Sequence, residues 1–201
     1  MVGMSSRGPY AKGVAKRAEI LETALEIIAR NGYSGATVKE LADAVGLSQN
    51  GLLHYFGSKD ALFIEILRAR DEADSQLDFP VTDDGSSDHV DAIAQLLDHH
   101  AKLPGFVQLR ARLLNEAAEA GHPSHEFFRE RYTLIRTAGA DVFRDLQAQG
   151  RVRADLDPNT LGVMLFALID GLQTQWMYAP NDIDMAAEVR QFFAALAPPV
   201  V

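Results

Sequence analysis

Residues 37–63 read TVKELADAVGLSQNGLLHYFGSKDALF, and this stretch decides the fold. It opens on a capping box. In Thr37-Val38-Lys39-Glu40 the threonine oxygen accepts from the third helical amide and the glutamate reaches back to the cap. Leu41, Ala42 and Val45 share one face of the helix so begun. Gly46 ends it, because the tight turn that follows needs a residue tolerant of positive φ. Ser48 caps a second short helix, about Gln49 to Tyr55, and Gly57-Ser58 turns the chain into a longer one, about Lys59 to Leu77. Two such short helices do not persist alone in water. A preceding helix, about Val14 to Asn31, offers them a surface, with Ala18, Leu21, Leu25 and Ile28 at helical spacing. Ala42 is small and lets the two short helices approach closely. The unit is a helix-turn-helix.

The helix after the turn begins with Ser48-Gln49-Asn50-Gly51. Glutamine and asparagine pair bidentately with adenine in the major groove, and Gly51 lets backbone come close to a duplex. His54, Tyr55 and Lys59 suit phosphate oxygens. The helix starts at Thr37 and Ser58 offer free amides to the same anions. The candidate DNA-binding set is Thr37, Lys39, Ser48, Gln49, Asn50, Gly51, His54, Tyr55 and Lys59. A net charge of -9 opposes this reading only until its distribution is considered. Residues 1–70 hold nine Lys/Arg against seven Asp/Glu, whereas residues 71–201 hold ten against twenty-one. Arg7, Lys12, Lys16 and Arg17 precede the first acid. An acidic body behind a mildly basic head aims the head at phosphate.

Thr37 to Phe63, with its core GLSQNGLLHYFGSKDALF, resembles the DNA-binding domain of TetR-family regulators. Tyr55-Phe56-Gly57-Ser58-Lys59-Asp60-Ala61-Leu62 is similar to the family's aromatic exit followed by SKxxL. Leu53 stands where the family usually has tyrosine, and Tyr55 where it often has histidine, so no DNA role passes to Leu53. The resemblance implies a sequence-specific transcriptional regulator, more often a repressor, released from a palindromic operator by a small-molecule effector. It also implies a C-terminal domain that binds that ligand and forms a homodimer. NEAAEAGHPSHEFFRERY (115–132) and FALIDGLQTQWMY (166–178) further resemble the BetI-like branch of the family.

The remaining chain reads as five more helices, about Asp88–Lys102, Phe106–Ala120, Ser124–Gln149, Asn159–Met177 and Ile183–Leu196. Proline- and glycine-bearing turns separate them, and Phe79 to Ser87 is a loop. The expectation is an all-α protein of about nine helices. Residues 1–12 form a flexible arm, 13–60 the helix-turn-helix domain, and 61–201 a larger ligand-binding and dimerisation domain. The run Leu161 to Ile169 is apolar nearly all round its helix, so one side must meet a second subunit or a cavity. Leu161, Leu165 and Leu168, with Val189, Phe193 and Leu196 on the last helix, are candidates for a four-helix interface about a two-fold axis. A monomer with a buried central helix is the alternative.

A ligand pocket is expected around Phe106, Leu109, Leu113, Tyr132, Phe166, Asp170, Gln173 and Trp176, mostly apolar with a few placed polar groups. Asp170 follows the apolar run on a helix that should be buried, so it needs a partner. That partner is Arg112, Arg131 or a cationic or hydroxylated ligand.

The chain has no cysteine, which excludes disulfides, thiolate metal sites and cysteine nucleophiles and makes a reducing cytoplasm the natural setting. Met1 to Gly13 has no apolar signal core. Leu161–Ile169 falls short of the roughly 20 residues that span a bilayer, so no membrane partner is expected. The histidines lack metal-ligand spacing, and no nucleophile–base pair or phosphate loop is present. No catalytic residue, metal or cofactor is therefore assigned. Two competing functions remain open: a constitutive dimeric DNA-binding protein, which a fully packed C-terminal domain would favour, and a small all-α enzyme.

Overall fold

The computed structural model describes residues 9–32, 36–75 and 88–199. Among them every regular element is a helix: α1 (Pro9–Asn31), α2 (Val38–Ala44), α3 (Gln49–His54), α4 (Lys59–Ser75), α5 (His89–Ala101), α6 (Pro104–Glu116), α7 (His125–Ala148), α8 (Pro158–Tyr178) and α9 (Met185–Ala195). The expected loop at 79–87 and the first eight residues of the expected arm lie outside the described residues. The arm expected through residue 12 is cut short, because α1 starts at Pro9. Proline's fixed φ suits a first helical position.

The head is α1 to α3 packed on the first half of α4. Its core holds Ile20, Ala24, Ile27 and Ile28 of α1, Leu41, Ala42 and Val45, Leu52 and Phe56, and Leu62, Phe63, Ile66 and Leu67. The inward face of α1 is thus rotated from the expected one. Leu21 and Leu25 are half-buried and Ala18 is exposed. Glu19, Glu22 and Glu26 are exposed on one side of α1, and the isoleucine face lies opposite them.

The same core continues into the body through Phe106, Leu109, Leu113 and Phe128. One glycine makes this seam possible. A Cβ on Gly105 would overlap the Ile28 carbonyl oxygen and lie 2.8 Å from Gly32 Cα. A second core joins α5 to α9, with Leu97, Phe143, Leu146, Leu161, Leu165, Trp176, Val189 and Phe193 buried together. Phe143 stacks on Phe193 with ring centroids 5.3 Å apart. Helices α7 and α8 approach closely where Gly139 faces Gly162, and a Cβ on Gly162 would lie 2.8 Å from the Arg136 carbonyl oxygen. No helix among the described residues is long and apolar enough to cross a membrane.

Candidate nucleic-acid interface and internal cavity

The capping box at α2 forms. Thr37 Oγ1 accepts from the Glu40 amide at 3.2 Å, and Glu40 Oε2 accepts from the Thr37 amide at 3.0 Å. The Thr37 amide and then its hydroxyl hold the exposed Glu40 carboxyl below its ordinary value. Gly46 turns the chain with φ +68, and the Leu47 amide donates to Ala42 O at 2.9 Å. Ser48 Oγ accepts from the Gly51 amide at 3.0 Å and so caps α3. Leu52 anchors α3 in the head core, which leaves Gln49, Asn50 and His54 exposed.

Two basic residues of α1 are held by partners within the head. Lys16 Nζ donates to the Val45 carbonyl at 2.9 Å. Arg17 donates to the Tyr55 carbonyl at 2.8 Å, pairs with Glu65 at 2.6 Å and lies over the Phe56 ring. Arg17 therefore fastens α1 to the exit of α3 and to α4. Tyr55 is half-buried, whereas Lys39 and Lys59 are exposed. Thr37, Lys39, Gln49 and Lys59 line one surface concavity of about 450 Å³, and Arg112 of α6 joins them from the body. Ser48, the cap of α3, and Asn50, Gly51 and His54 on α3 do not line this hollow.

A cavity of about 370 Å³ opens between α4, α5, α6, α7 and α8. Ile93, Leu96, Leu97, Leu114, Phe128, Ile135, Phe166 and Ile169 form its apolar walls. Of the residues expected there, Tyr132, Phe166, Asp170 and Gln173 line it. Leu109 and Leu113 are packed in the head core, and Phe106 touches only a small adjoining void. Trp176 belongs to the second core and borders a different hollow near Pro180. On α6 the cavity face is one residue further round: Arg110 and Leu114 line it, while Leu109 and Leu113 turn to the head.

Asp170 has partners, but not those expected. Tyr132 Oη donates to it at 2.5 Å and Arg110 Nη2 at 3.4 Å. Arg112 is exposed and bonds Glu116 at 2.8 Å, and Arg131 pairs with Asp71 at 2.9 Å. Arg110, Asp71, Asp74 and His100 line the cavity and were not anticipated, and Arg131, expected only as a partner of Asp170, lines it beside Asp71. A helical reading of α6 displaced by one residue would have found Arg110. The α4 and α5 residues carry no local signal.

Burial opposes charge on these groups, and their partners answer it differently. At Asp74 burial would raise the carboxyl, but bonds from His100 and Arg70 overcome it and hold the group at about 2. Burial pushes the Asp71 carboxyl up against the opposing pull of Arg131. Burial pushes Arg110 down against Asp170. Burial and the bond to Asp170 push the Tyr132 hydroxyl up, which keeps it a donor.

The expected interface residues divide. Leu161, Leu165, Val189 and Phe193 fill the protomer's own second core, and Leu168 and Leu196 are half-buried against it. The α8 seam is used first to hold α7. Along the middle of α8 the large apolar side chains left outward are Val163, 49% exposed, and Met164, 52% exposed, and Tyr178 is exposed at its last residue. No group of three or more metal-ligating side chains gathers among the described residues.

A capped helix-turn-helix joined through a shared core to a hollow helical body defines a DNA-binding regulator. Residues 20–66 match the model of bacterial regulatory proteins of the tetR family, and residues 88–198 match the BetI-type transcriptional repressor C-terminal domain. The chain belongs to the TetR family of transcriptional regulators. It is 30% identical to the HTH-type transcriptional repressor Rv1474c of Mycobacterium tuberculosis, over 79% of this chain and 80% of that one. It is 28% identical to the HTH-type transcriptional repressor AcnR of Corynebacterium efficiens, over 80% and 81% of the two chains. Its fold is that of the regulatory protein TetR from Rhodobacter sphaeroides, with TM-score 0.67, 19% identity and coverage of 90% and 97%. Members of the family are regulators and not enzymes. They bind operator DNA and typically act as dimers with small-molecule effectors.

Proposed function

We propose that this protein is a cytoplasmic homodimeric repressor that reads a near-palindromic operator and leaves it when a small molecule fills the body cavity. The observation that carries this is the first turn of α3, where Gln49 and Asn50 stand exposed on a helix pinned from behind by Leu52. In each half-site Gln49 and Asn50 read bases, and Thr37, Lys39, Tyr55 and Lys59 hold phosphates. The dimer forms through the outward face of α8 around Val163 and Met164. Ala187, Ala194 and Ala195, exposed on α9, let the partner's helices come close.

Helix α4 links the two activities. Its Phe63 and Ile66 belong to the head core, and its Asp71 and Asp74 line the cavity. A ligand that displaces the far end of α4 therefore moves the head. A fully packed body would favour a regulator without an effector, and a cavity of about 370 Å³ supports the opposite. The test is selection of bound sequences from random duplex DNA at a stated, moderate salt concentration. The expected product is a palindrome with half-site centres roughly 34–36 Å apart or a multiple of that. Binding without any enriched sequence would remove the reading.

A further inference from the structure

The polar groups around the body cavity are matched to one another, with one exception. Asp71 accepts from Arg131, Asp74 from Arg70 and His100, and Asp170 from Arg110 and Tyr132. Each of the three carboxylates thus meets a guanidinium, those of Arg110 and Arg131 on the cavity wall and that of Arg70 at the adjoining void, so none of these ions is unpaired. The exception is Gln173, which is 3% exposed and lines the cavity.

Its neighbours decide which way its amide points. His100 Nε2 lies 3.0 Å from Asp74 Oδ2, and a carboxylate only accepts, so this ring nitrogen carries the proton. An amide NH2 only donates, so the Gln173 Nε2–H goes to His100 Nδ1, 3.2 Å away. What remains is Gln173 Oε1, a buried carbonyl oxygen with no hydrogen-bond partner among the described residues. Buried acceptors are paired as a rule. The other walls, at Leu96, Phe128 and Phe166, are apolar.

Resting on the reading of this cavity as the effector site, we propose that its effector is an uncharged amphiphile. Its hydroxyl or amide N–H donates to Gln173 Oε1, and its hydrocarbon lies against Leu96, Phe128 and Phe166. A charged head group would enter a site whose arginines and aspartates are already engaged, and it would stay unpaired there.

The experiment titrates the full-length protein with three probes of equal tail length: 1-decanol, decanoate and decyltrimethylammonium. Calorimetry and the shift in melting temperature are the readouts. The expected result is that 1-decanol binds at least about ten-fold more tightly than either ion. Gln173→Leu should weaken 1-decanol about ten-fold, the effect of one hydrogen bond. Preference for either ion would overturn the ligand class while leaving the cavity as the effector site. No binding of any probe would overturn both. Equal binding of 1-decanol to wild type and Gln173→Leu would also overturn the proposal. It would mean that water in the adjoining void of about 30 Å³ satisfies Oε1 instead. The head-group ranking is read on the wild-type chain, so it decides the matter even if the variant does not fold.

Discussion

Gly105→Ala adds one methyl group where the start of α6 meets the end of α1. The new Cβ would overlap the Ile28 carbonyl oxygen and lie 2.8 Å from Gly32 Cα. Both obstacles are backbone atoms, so neither can rotate aside. The start of α6 must back away, and the head-core contacts of Phe106 and Leu109, next along the helix, open with it. Overpacking of this kind costs about 1–3 kcal/mol. A gap of roughly 0.5–1 Å forfeits a quarter to a half of each dispersion contact behind it. Against this stands the gain from replacing glycine by alanine in a helix, about 1 kcal/mol in an interior and less in a first turn. The net expectation is a loss of about 2 kcal/mol, which in a chain of this length lowers the melting temperature by roughly 4–8 °C. The assay is thermal unfolding at one fixed protein concentration, because a dimer's midpoint moves with concentration. Gly13→Ala is the control. It lies within α1, and no heavy atom comes within 4 Å of its added Cβ. It should melt at or above the wild-type temperature. A Gly105→Ala protein that melts as high as Gly13→Ala would refute the close-approach reasoning.

Three further outcomes are expected. The Asp74 carboxyl is held at about 2 in the folded chain, below its ordinary 3.8, and is only 12% exposed. Its contribution, on the order of 2 kcal/mol, is present above pH 4 and is lost as pH falls from about 4 to about 2. Urea unfolding should therefore show a wild-type advantage over Asp74→Asn at pH 6 that shrinks toward pH 3, and a constant difference would contradict the assignment. Lys59→Ala should weaken binding to all duplex sequences alike and reduce the salt slope by roughly 1 per protomer, and an unchanged slope would remove Lys59 from the phosphate set. Met164→Arg places a charge on the outward apolar face of α8, 52% exposed at this residue, and should shift sedimentation toward the 22.0 kDa monomer. A variant that stays dimeric would place the interface elsewhere.

What could be read from the sequence follows the range of the interactions. The helix-turn-helix was legible because its determinants are local. Thr37 and Glu40 cap within one turn, Gly46 sets the bend, and Ser48 caps the next helix three residues before its hydrogen-bond donor, the Gly51 amide. The family match carries the same stretch. In the body, the existence and order of α5 to α9 were legible from turns and periodicity, but the orientation of each helix was not. A helix that is apolar over more than half its circumference does not say which side its own chain covers. On α8 the sequence offers Leu161 and Leu165 as readily as Val163 and Met164, and only contact with α7 and α9 decides that the first pair turns inward.

Asp170 shows where the boundary lies. A carboxylate after the run Leu161–Ile169 must have partners, and that requirement is visible in one dimension. The partners themselves are Tyr132, 38 positions away, and Arg110, 60 positions away. Both reach Asp170 because α6, α7 and α8 converge on the cavity. Arg112 and Arg131 are equally plausible by type. They differ from Arg110 by rotation about α6 and by position along α7, and each finds its own acid, Glu116 or Asp71. Burial therefore predicts that charges pair, while the pairing itself is set by helix rotation, which hydrophobic periodicity locates only to within about one residue, or 100°. That margin separates a residue on the head–body seam from one on the cavity wall, as Leu109 and Arg110 demonstrate on adjacent positions.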